Sequence, residues 1–481
     1  MQLRPYQQDC LNQLRAEVAK GNNPLLVAPC GSGKGSLIAY IVQSAVSKGY
    51  RVIFAVHGKS LVVDMSERVA KLGIEHGVLM GGEKRQHWHP VQVASIDTLH
   101  RMSHPPGASL IIADEADGAM SPTWLKALGR YPNARIIGAT ATPCRSDGKP
   151  LGRAAGGIFD SLVLGPNESE LINMGYLVDA RVLAPPPPPD LKLLRKTAGE
   201  FNPKQSAAIC DKAKVIGDIV EHWRKHAFGR KTVSFGVDKA HAQHIADQFN
   251  AVGVPFAYVD ADTPLDERAK IWKDLDSESG TLMGVSSCGV CLIGWDRPIV
   301  SCIVDAAKTA SLRKHKQKLG RGSRTYRGKD CFVVLDHVSN VHYHEPYGLF
   351  SQTPPWTLDG EAMEHSDADK TPSITTCRKC FFTFRSGPTH CPACNAELPR
   401  SKRKVEVEAG ELQEVVAGTV ATGGPRPGDK ELFLKFFTKA VLKGYKPAWA
   451  IFAFRGVRGY VPPRQWTEEF SERTRMEEVT V

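Results

Sequence analysis

Leu25-Leu26-Val27-Ala28-Pro29-Cys30-Gly31-Ser32-Gly33-Lys34-Gly35-Ser36 decides the fold. An apolar run leads into a glycine-rich turn, and an amphipathic pattern continues over residues 36–46. Strand, turn and helix in that order form a backbone cradle for phosphate. Gly31 and Gly33 let main-chain N–H groups approach an anion, and the following helix N-terminus favours negative charge. Lys34 supplies a cation for the terminal phosphates. Taken alone, the same letters also describe a plain strand-to-helix turn. One position departs from the pattern. The residue after the lysine, where a Ser or Thr hydroxyl would hold Mg²⁺, is Gly35. Ser36 sits one place later, about 100° further round the helix. Water or a shifted Ser36 completes such a metal shell, or else hydrolysis is slow or lost.

Working outward, apolar runs at 25–27, 52–56, 110–113 and 136–139 alternate with amphipathic stretches such as 61–72. That alternation predicts a doubly wound α/β domain over residues 1–184, with buried parallel strands. Five prolines at 185–189 exclude helix and predict an extended spacer over 185–214. A second α/β domain is expected over 215–346, with strands at 232–235, 256–259, 282–285, 300–304 and 332–335. A linker follows at 347–372, then a cysteine module at 373–399. A polar, flexible stretch at 400–428 and a basic helical segment at 429–481 complete the chain. No internal repeat is visible.

The chain has 481 residues, 42% hydrophobic and 23% charged, the composition of a soluble globular protein of several domains. Its formal net charge of +11 favours a polyanionic partner. The N-terminal residues lack the apolar run of a signal peptide, and no stretch is long enough to span a bilayer. A cytoplasmic location without membrane association is expected. In a reducing compartment the twelve cysteines are free thiols or metal ligands rather than disulfides.

Asp114-Glu115-Ala116-Asp117 follows an apolar run, so both leading carboxylates sit at a strand's C-terminal end, where open α/β sheets bind ligands. Asp114 is the candidate magnesium ligand and Glu115 the candidate base for an attacking water. Further on, Gln317-Lys318-Leu319-Gly320-Arg321-Gly322-Ser323-Arg324 carries two arginines behind a glycine. Phosphoryl transfer needs positive charge on the γ-phosphate, and Arg321 and Arg324 from a facing lobe supply it. Residues 308–329 hold nine Lys/Arg and no acid. A solvated basic helix accounts for some of these. Cys288-Gly289-Val290-Cys291 reads as packing rather than a metal knuckle.

Cys377-x2-Cys380-x10-Cys391-x2-Cys394 is the pattern of two thiolate knuckles around one structural Zn²⁺. Phe381, Phe382 and Phe384 beside it stack on bases or form the module's core. Lys435, Lys439 and Lys443 share one helical face opposite Leu432, Phe433, Phe436, Phe437 and Ala440. That basic face is solvated or meets phosphates.

Together with Leu3-Arg4-Pro5-Tyr6-Gln7, Thr140-Ala141-Thr142-Pro143 and the Gly294/Asp296 pair, these motifs resemble the core of superfamily 2 helicases and translocases. With the cysteine module, the order resembles the bacterial and phage RadD-like members near the restriction-motor branch. The resemblance implies two tandem RecA-like domains with parallel sheets, a small zinc module and a short helical C-terminus. It implies ATP, Mg²⁺ and Zn²⁺ as cofactors. Arg4, Gln7, Pro29, Cys30, Gly31, Ser32, Gly33, Lys34, Gly35, Ser36, Asp114, Gly294 and Asp296 would then contact nucleotide. Glu115, Gln317, Arg321 and Arg324 would be catalytic, with Thr140 and Thr142 coupling hydrolysis to movement. Asp114-Glu115-Ala116-Asp117 spells the box of RNA helicases, but those carry Ser-Ala-Thr where this chain has Thr140-Ala141-Thr142, and His where it has Gln317. The implied partner is therefore DNA, single-stranded or branched duplex, with RNA the alternative and the protein partner unknown. The implied setting is a bacterial cell or phage-infected host, in repair, replication or phage DNA metabolism. Leu292-Ile293, where relatives have a polar pair, and Gly35 support a rival reading: a degenerate scaffold that binds ATP and DNA with little hydrolysis.

Overall fold

Seven parallel strands build the first sheet: β1 (Pro24–Val27), β2 (Val52–Val56), β3 (His76–Leu79), β4 (Val91–Ser95), β5 (Leu110–Asp114), β6 (Arg135–Thr140) and β7 (Ser161–Leu164). Their spatial order is β3-β4-β2-β5-β6-β1-β7. This computed structural model describes residues 2–118, 121–145, 149–184, 194, 196–197, 200–202, 205–206, 210, 213–292, 294–359, 374–398, 427–442, 448–458 and 461–470. The five-proline run, Ile293 and Lys443 lie outside them.

Side chains alternate across a strand, and the core divides accordingly. Leu25, Val27, Ile53, Ala55, Ile111 and Ala113 pack on one face with Trp124 and Phe159. Leu26, Phe54, Val56, Ile112 and Ile137 pack on the other. That second face is covered by α1 (Pro5–Ala19), α2 (Lys34–Val46) and α3 (Lys59–Lys71), through Leu11, Leu14, Ile38, Val42, Val62 and Met65. Cover on both sides is what continuous apolar strands require.

The chain then crosses over. β8 (Asp179–Leu183) belongs to the second sheet, although the expected first domain ran to residue 184. β9 (Lys196–Thr197) and β10 (Glu200–Phe201) form a separate antiparallel ribbon. The remaining strands are β11 (Thr232–Phe235), β12 (Phe256–Tyr258), β13 (Gly284–Ser287), β14 (Cys302–Asp305), β15 (Cys331–Asp336), β16 (Ile374–Thr376) and β17 (Phe382–Arg385). The second sheet runs β12-β13-β11-β14-β15-β8-β17-β16 and is parallel as far as β8. β13 and β14 start two residues later than the apolar runs suggest. β14 and β15 extend into buried Asp305 and Asp336, which hydropathy excludes from a strand. Asp305 is tolerated there because Lys318 Nζ (2.6 Å) and Asn340 Nδ2 (2.8 Å) bind it.

Two expected appendages are integral to this unit. β17 pairs antiparallel with β8, so the cysteine module continues the second sheet. Residues 347–359, expected as linker, return to the first lobe. There Leu151 and Gly152 N–H groups donate to the Leu358 carbonyl at 2.9 and 3.1 Å. Trp356 and Leu358 pack on the first lobe's core. One compact unit, Met1–Arg400, contains both lobes and the cysteine module.

The second unit is Ser401–Val481. Within it, the helices Asp429–Leu442 and Ala448–Arg458 bury Phe433, Phe437, Ala450 and Phe454 with Phe470. Arg458 pairs with the buried Asp429 at 2.7 Å. Lys435 and Lys439 are exposed, as the helical pattern required. Among the described residues no helix is long and apolar enough to cross a membrane.

Candidate active site

The glycine-rich turn leaves β1 at its C-terminal end and enters α2. Gly31 and Gly33 take φ of 83° and 82°, in the left-handed region that glycine tolerates. A side chain at Gly33 would lie 2.7 Å from Gln7 Nε2, so the close approach also requires glycine. Lys34 Nζ is held by the carbonyls of Ala28 (2.6 Å) and Pro29 (3.0 Å) at the floor of the loop.

Arg4, Cys30, Gly31, Gly33, Lys34, Gly35, Ser36, Asp114, Glu115, Gly294, Asp296, Arg321 and Arg324 line one cleft of about 310 Å³, with Arg68 and Tyr176. The second lobe forms its far wall. Gly320 is needed for that closeness: a side chain there would meet Cys30 Cβ at 2.4 Å.

Asp114 ends β5, and burial together with the neighbouring Glu115 raises its pKa to about 6, against the pull of Lys34. Glu115 has φ of 49°, strained for a residue with a side chain. Strain of this kind persists where surrounding structure imposes it, and here it turns the carboxylate into the cleft. Gln317 Nε2 donates to Glu115 Oε2 at 3.3 Å from the other lobe. Arg324 pairs with Asp296 and donates to the Gly320 carbonyl at 2.9 Å.

Several expected site residues make contacts within the protein that the sequence does not foretell. Gln7 is buried outside the cleft lining. Its amide donates to the Gly33 carbonyl at 3.0 Å and accepts from Arg4 N–H at 2.9 Å. It therefore ties α1 to the turn. The ring surface in the cleft comes instead from Tyr176, with the Arg4 guanidinium 4.3 Å from its centroid. Arg321 is 3% exposed and donates to the carbonyls of Leu292 (2.6 Å) and Trp295, bracing the 290s loop. Arg324 is the more exposed of the two arginines, and is itself held by Asp296 and the Gly320 carbonyl. Pro29 and Ser32 act through their carbonyls, Ser32 accepting from Tyr6 Oη at 2.5 Å. Thr140 Oγ1 donates to Asp117 at 3.0 Å and accepts from Thr142 N–H at 3.1 Å. Asp117 is buried, which raises its pKa to about 7, and Arg313 of the second lobe pairs with it at 2.6 Å.

Arg68, Arg313, Asp117 and Tyr176 were given no role of their own from the sequence, although the stretch Gly175-Tyr176-Leu177-Val178 contributes to the resemblance. Arg313 lay in the basic stretch and Asp117 in the acidic motif. Arg68 carried no signal beyond its place on an amphipathic helix.

The chain is similar to known proteins. The family described as "Type III restriction enzyme, res subunit" matches residues 1–145. A "51.5 kDa protein" of a Lactococcus phage is 28% identical over 321 residues, covering 66% of each chain. The candidate mitochondrial ATP-dependent helicase irc3 of Schizosaccharomyces pombe is 26% identical, over 74% of this chain and 61% of its own length. Its Saccharomyces cerevisiae namesake is 26% identical, over 70% and 51%. The chain thus spans about half to two thirds of these relatives. A fragment of a candidate HsdR subunit of a type I restriction enzyme from Vibrio vulnificus shares the fold, with a TM-score of 0.56 and 19% identity over 73% of this chain and 67% of its own. The DNA-bound Type ISP restriction-modification enzyme LlaBIII superposes with a TM-score of 0.52 and 17% identity, over 69% of this chain and 27% of its own.

The chain is similar to the superfamily 2 helicases of the restriction-motor type. Its two sheets form two RecA-like lobes, and the cleft lies between them.

The same unit also carries a thiol cluster. Cys377 and Cys394 Sγ are 3.7 Å apart, and Cys380 and Cys391 Sγ 3.6 Å. All four lie within 4.8 Å of one another. A tetrahedral ion with Zn–S of about 2.3 Å separates its sulfurs by about 3.8 Å, so the cluster fits zinc. Disulfides, at about 2.05 Å, are excluded. The knuckles repeat one geometry: Phe381 and Asn395, each just after a second cysteine, have φ of 59° and 55°. Their N–H groups donate to the Cys377 and Cys391 carbonyls at 2.8 and 2.9 Å. Cys288 and Cys291 take no part in it.

Proposed function

We propose that this chain is a DNA-dependent ATPase that translocates along or remodels DNA. The observation that carries this reading is the meeting of Glu115 with Gln317 across the mouth of the phosphate loop, with Arg324 in the same cleft. Lys34 and the loop N–H groups hold the phosphates. Glu115, aimed by its backbone and by Gln317, orients and deprotonates the attacking water. Arg324 faces the γ-phosphate from the second lobe, so the transition state is stabilised only when the lobes are closed. Tyr176 and Arg4 offer a stacking surface for the base.

Asp114 and Ser36 are hard oxygen donors at the loop and suit Mg²⁺. Such an ion neutralises charge building on the phosphates when bound. Cys377, Cys380, Cys391 and Cys394 hold a structural zinc.

DNA is favoured over RNA by Thr140-Ala141-Thr142, by Gln317 and by fold likeness to a restriction enzyme solved on DNA. A role in DNA repair, replication or phage DNA metabolism follows from the RadD-like motif order. Gly35 supports the second reading, a scaffold that binds ATP without turnover. ATPase rates with no nucleic acid, single-stranded DNA, duplex DNA and RNA decide. Stimulation by DNA is expected. Stimulation by RNA alone would make it an RNA motor, and binding without turnover a scaffold.

A further inference from the structure

The glycine at position 35 has a neighbour that explains it. A Cβ built there would lie 2.5 Å from Arg68 Nη1 and 3.7 Å from its Cζ. The guanidinium therefore sits in the space that a Ser or Thr side chain would fill. Arg68 comes from α3, which is anchored through buried Val62, Met65 and Val69. Its side chain lines the cleft beside Lys34, Ser36 and Asp114. It is half-buried and has no hydrogen bond or ion pair among the described residues. A guanidinium carries five N–H donors in a planar fork that matches phosphate oxygens. Here that fork faces a phosphate-binding loop with its donors unspent.

We propose that Arg68 binds the β/γ-phosphates of the nucleotide, and that Gly35 is the residue that leaves room for it. The loop has exchanged a hydroxyl that acts through a metal for a cation that acts directly. This rests on the nucleotide-site reading above. It makes phosphate binding less dependent on Mg²⁺, and it accounts for a departure that otherwise looks like decay of the motor. A side chain at 35 is accommodated only when the mobile tip of Arg68 swings aside, so the two positions are coupled.

The test is binding of a fluorescent ATP analogue to the full chain, by anisotropy, in EDTA and in excess Mg²⁺. In EDTA, Arg68→Ala should weaken binding about 10- to 100-fold, the worth of a charge-assisted hydrogen bond. Gly35→Thr should weaken it similarly, because it displaces the guanidinium and has no metal to bind. The double variant should be no worse than either single one, since both remove the same contact. In Mg²⁺, Gly35→Thr should recover more than Arg68→Ala. If either single variant binds in EDTA as tightly as the unaltered protein, the proposal is overturned. Lys34→Ala separates the two levels of the argument. If it abolishes binding while Arg68→Ala does not, only the role of Arg68 fails. If Lys34→Ala also binds normally, the nucleotide site itself has been misassigned.

Discussion

Arg313 Nε lies 2.6 Å from Asp117 Oδ2, and this ion pair joins the two lobes behind the cleft. Asp117 is 1% exposed at its side chain and Arg313 21%, so water screens the pair little. Thr140 binds the other oxygen of Asp117. The acidic motif, the threonine motif and the basic helix of the second lobe thus meet at one carboxylate. Rotating the lobes apart must break this contact or carry it along.

Arg313→Ala should therefore destabilise the first unit by about 3 kcal/mol at pH 8, because it leaves a buried carboxylate unpaired. The pH dependence has a definite sign. Burial raises the Asp117 pKa to about 7, so between about pH 4 and 7 the folded state holds more protons than the unfolded chain, and stability falls as pH rises. Losing Arg313 raises that pKa further and extends the loss to higher pH. Urea unfolding should show a larger deficit at pH 8 than at pH 6. An equal deficit would mean that Asp117 does not titrate there.

Glu115→Gln should keep ATP affinity and lower DNA-stimulated turnover at least ~10²-fold, the usual cost of losing a general base. Single-turnover hydrolysis alongside equilibrium binding checks this. Wild-type turnover would move the base to another residue.

One zinc per chain is expected by elemental analysis of protein purified without chelators. Cys391→Ser should abolish it. Because β17 covers β8, the loss should also expose an edge strand of the second sheet and promote aggregation. A metal-free protein with a protected β8 by hydrogen exchange would contradict this.

DNA affinity should fall by orders of magnitude between ~50 and ~200 mM salt, because counterions released from the phosphates gain less free energy in more concentrated salt. A flat salt dependence would remove charge as the main contact.

The sequence by itself determined the α/β class, the phosphate turn, the acidic strand end and the four-thiol knuckles. Each is local: a few consecutive residues set backbone freedom, charge or ligand spacing, and period-2 and helical patterns report burial directly. The core split of Leu25 and Val27 from Leu26 follows from alternation alone. What tertiary structure decided are relations between distant residues. The placement of β8 in the second sheet, the return of Leu358 to the first lobe and the use of Gln7 as a brace depend on which surfaces happen to meet. Gly35 shows the division most clearly. One sequence position records a missing hydroxyl. Only the packing of α3, which carries Arg68 33 residues further on, supplies the reason, because the volume a side chain would need is already occupied by a guanidinium.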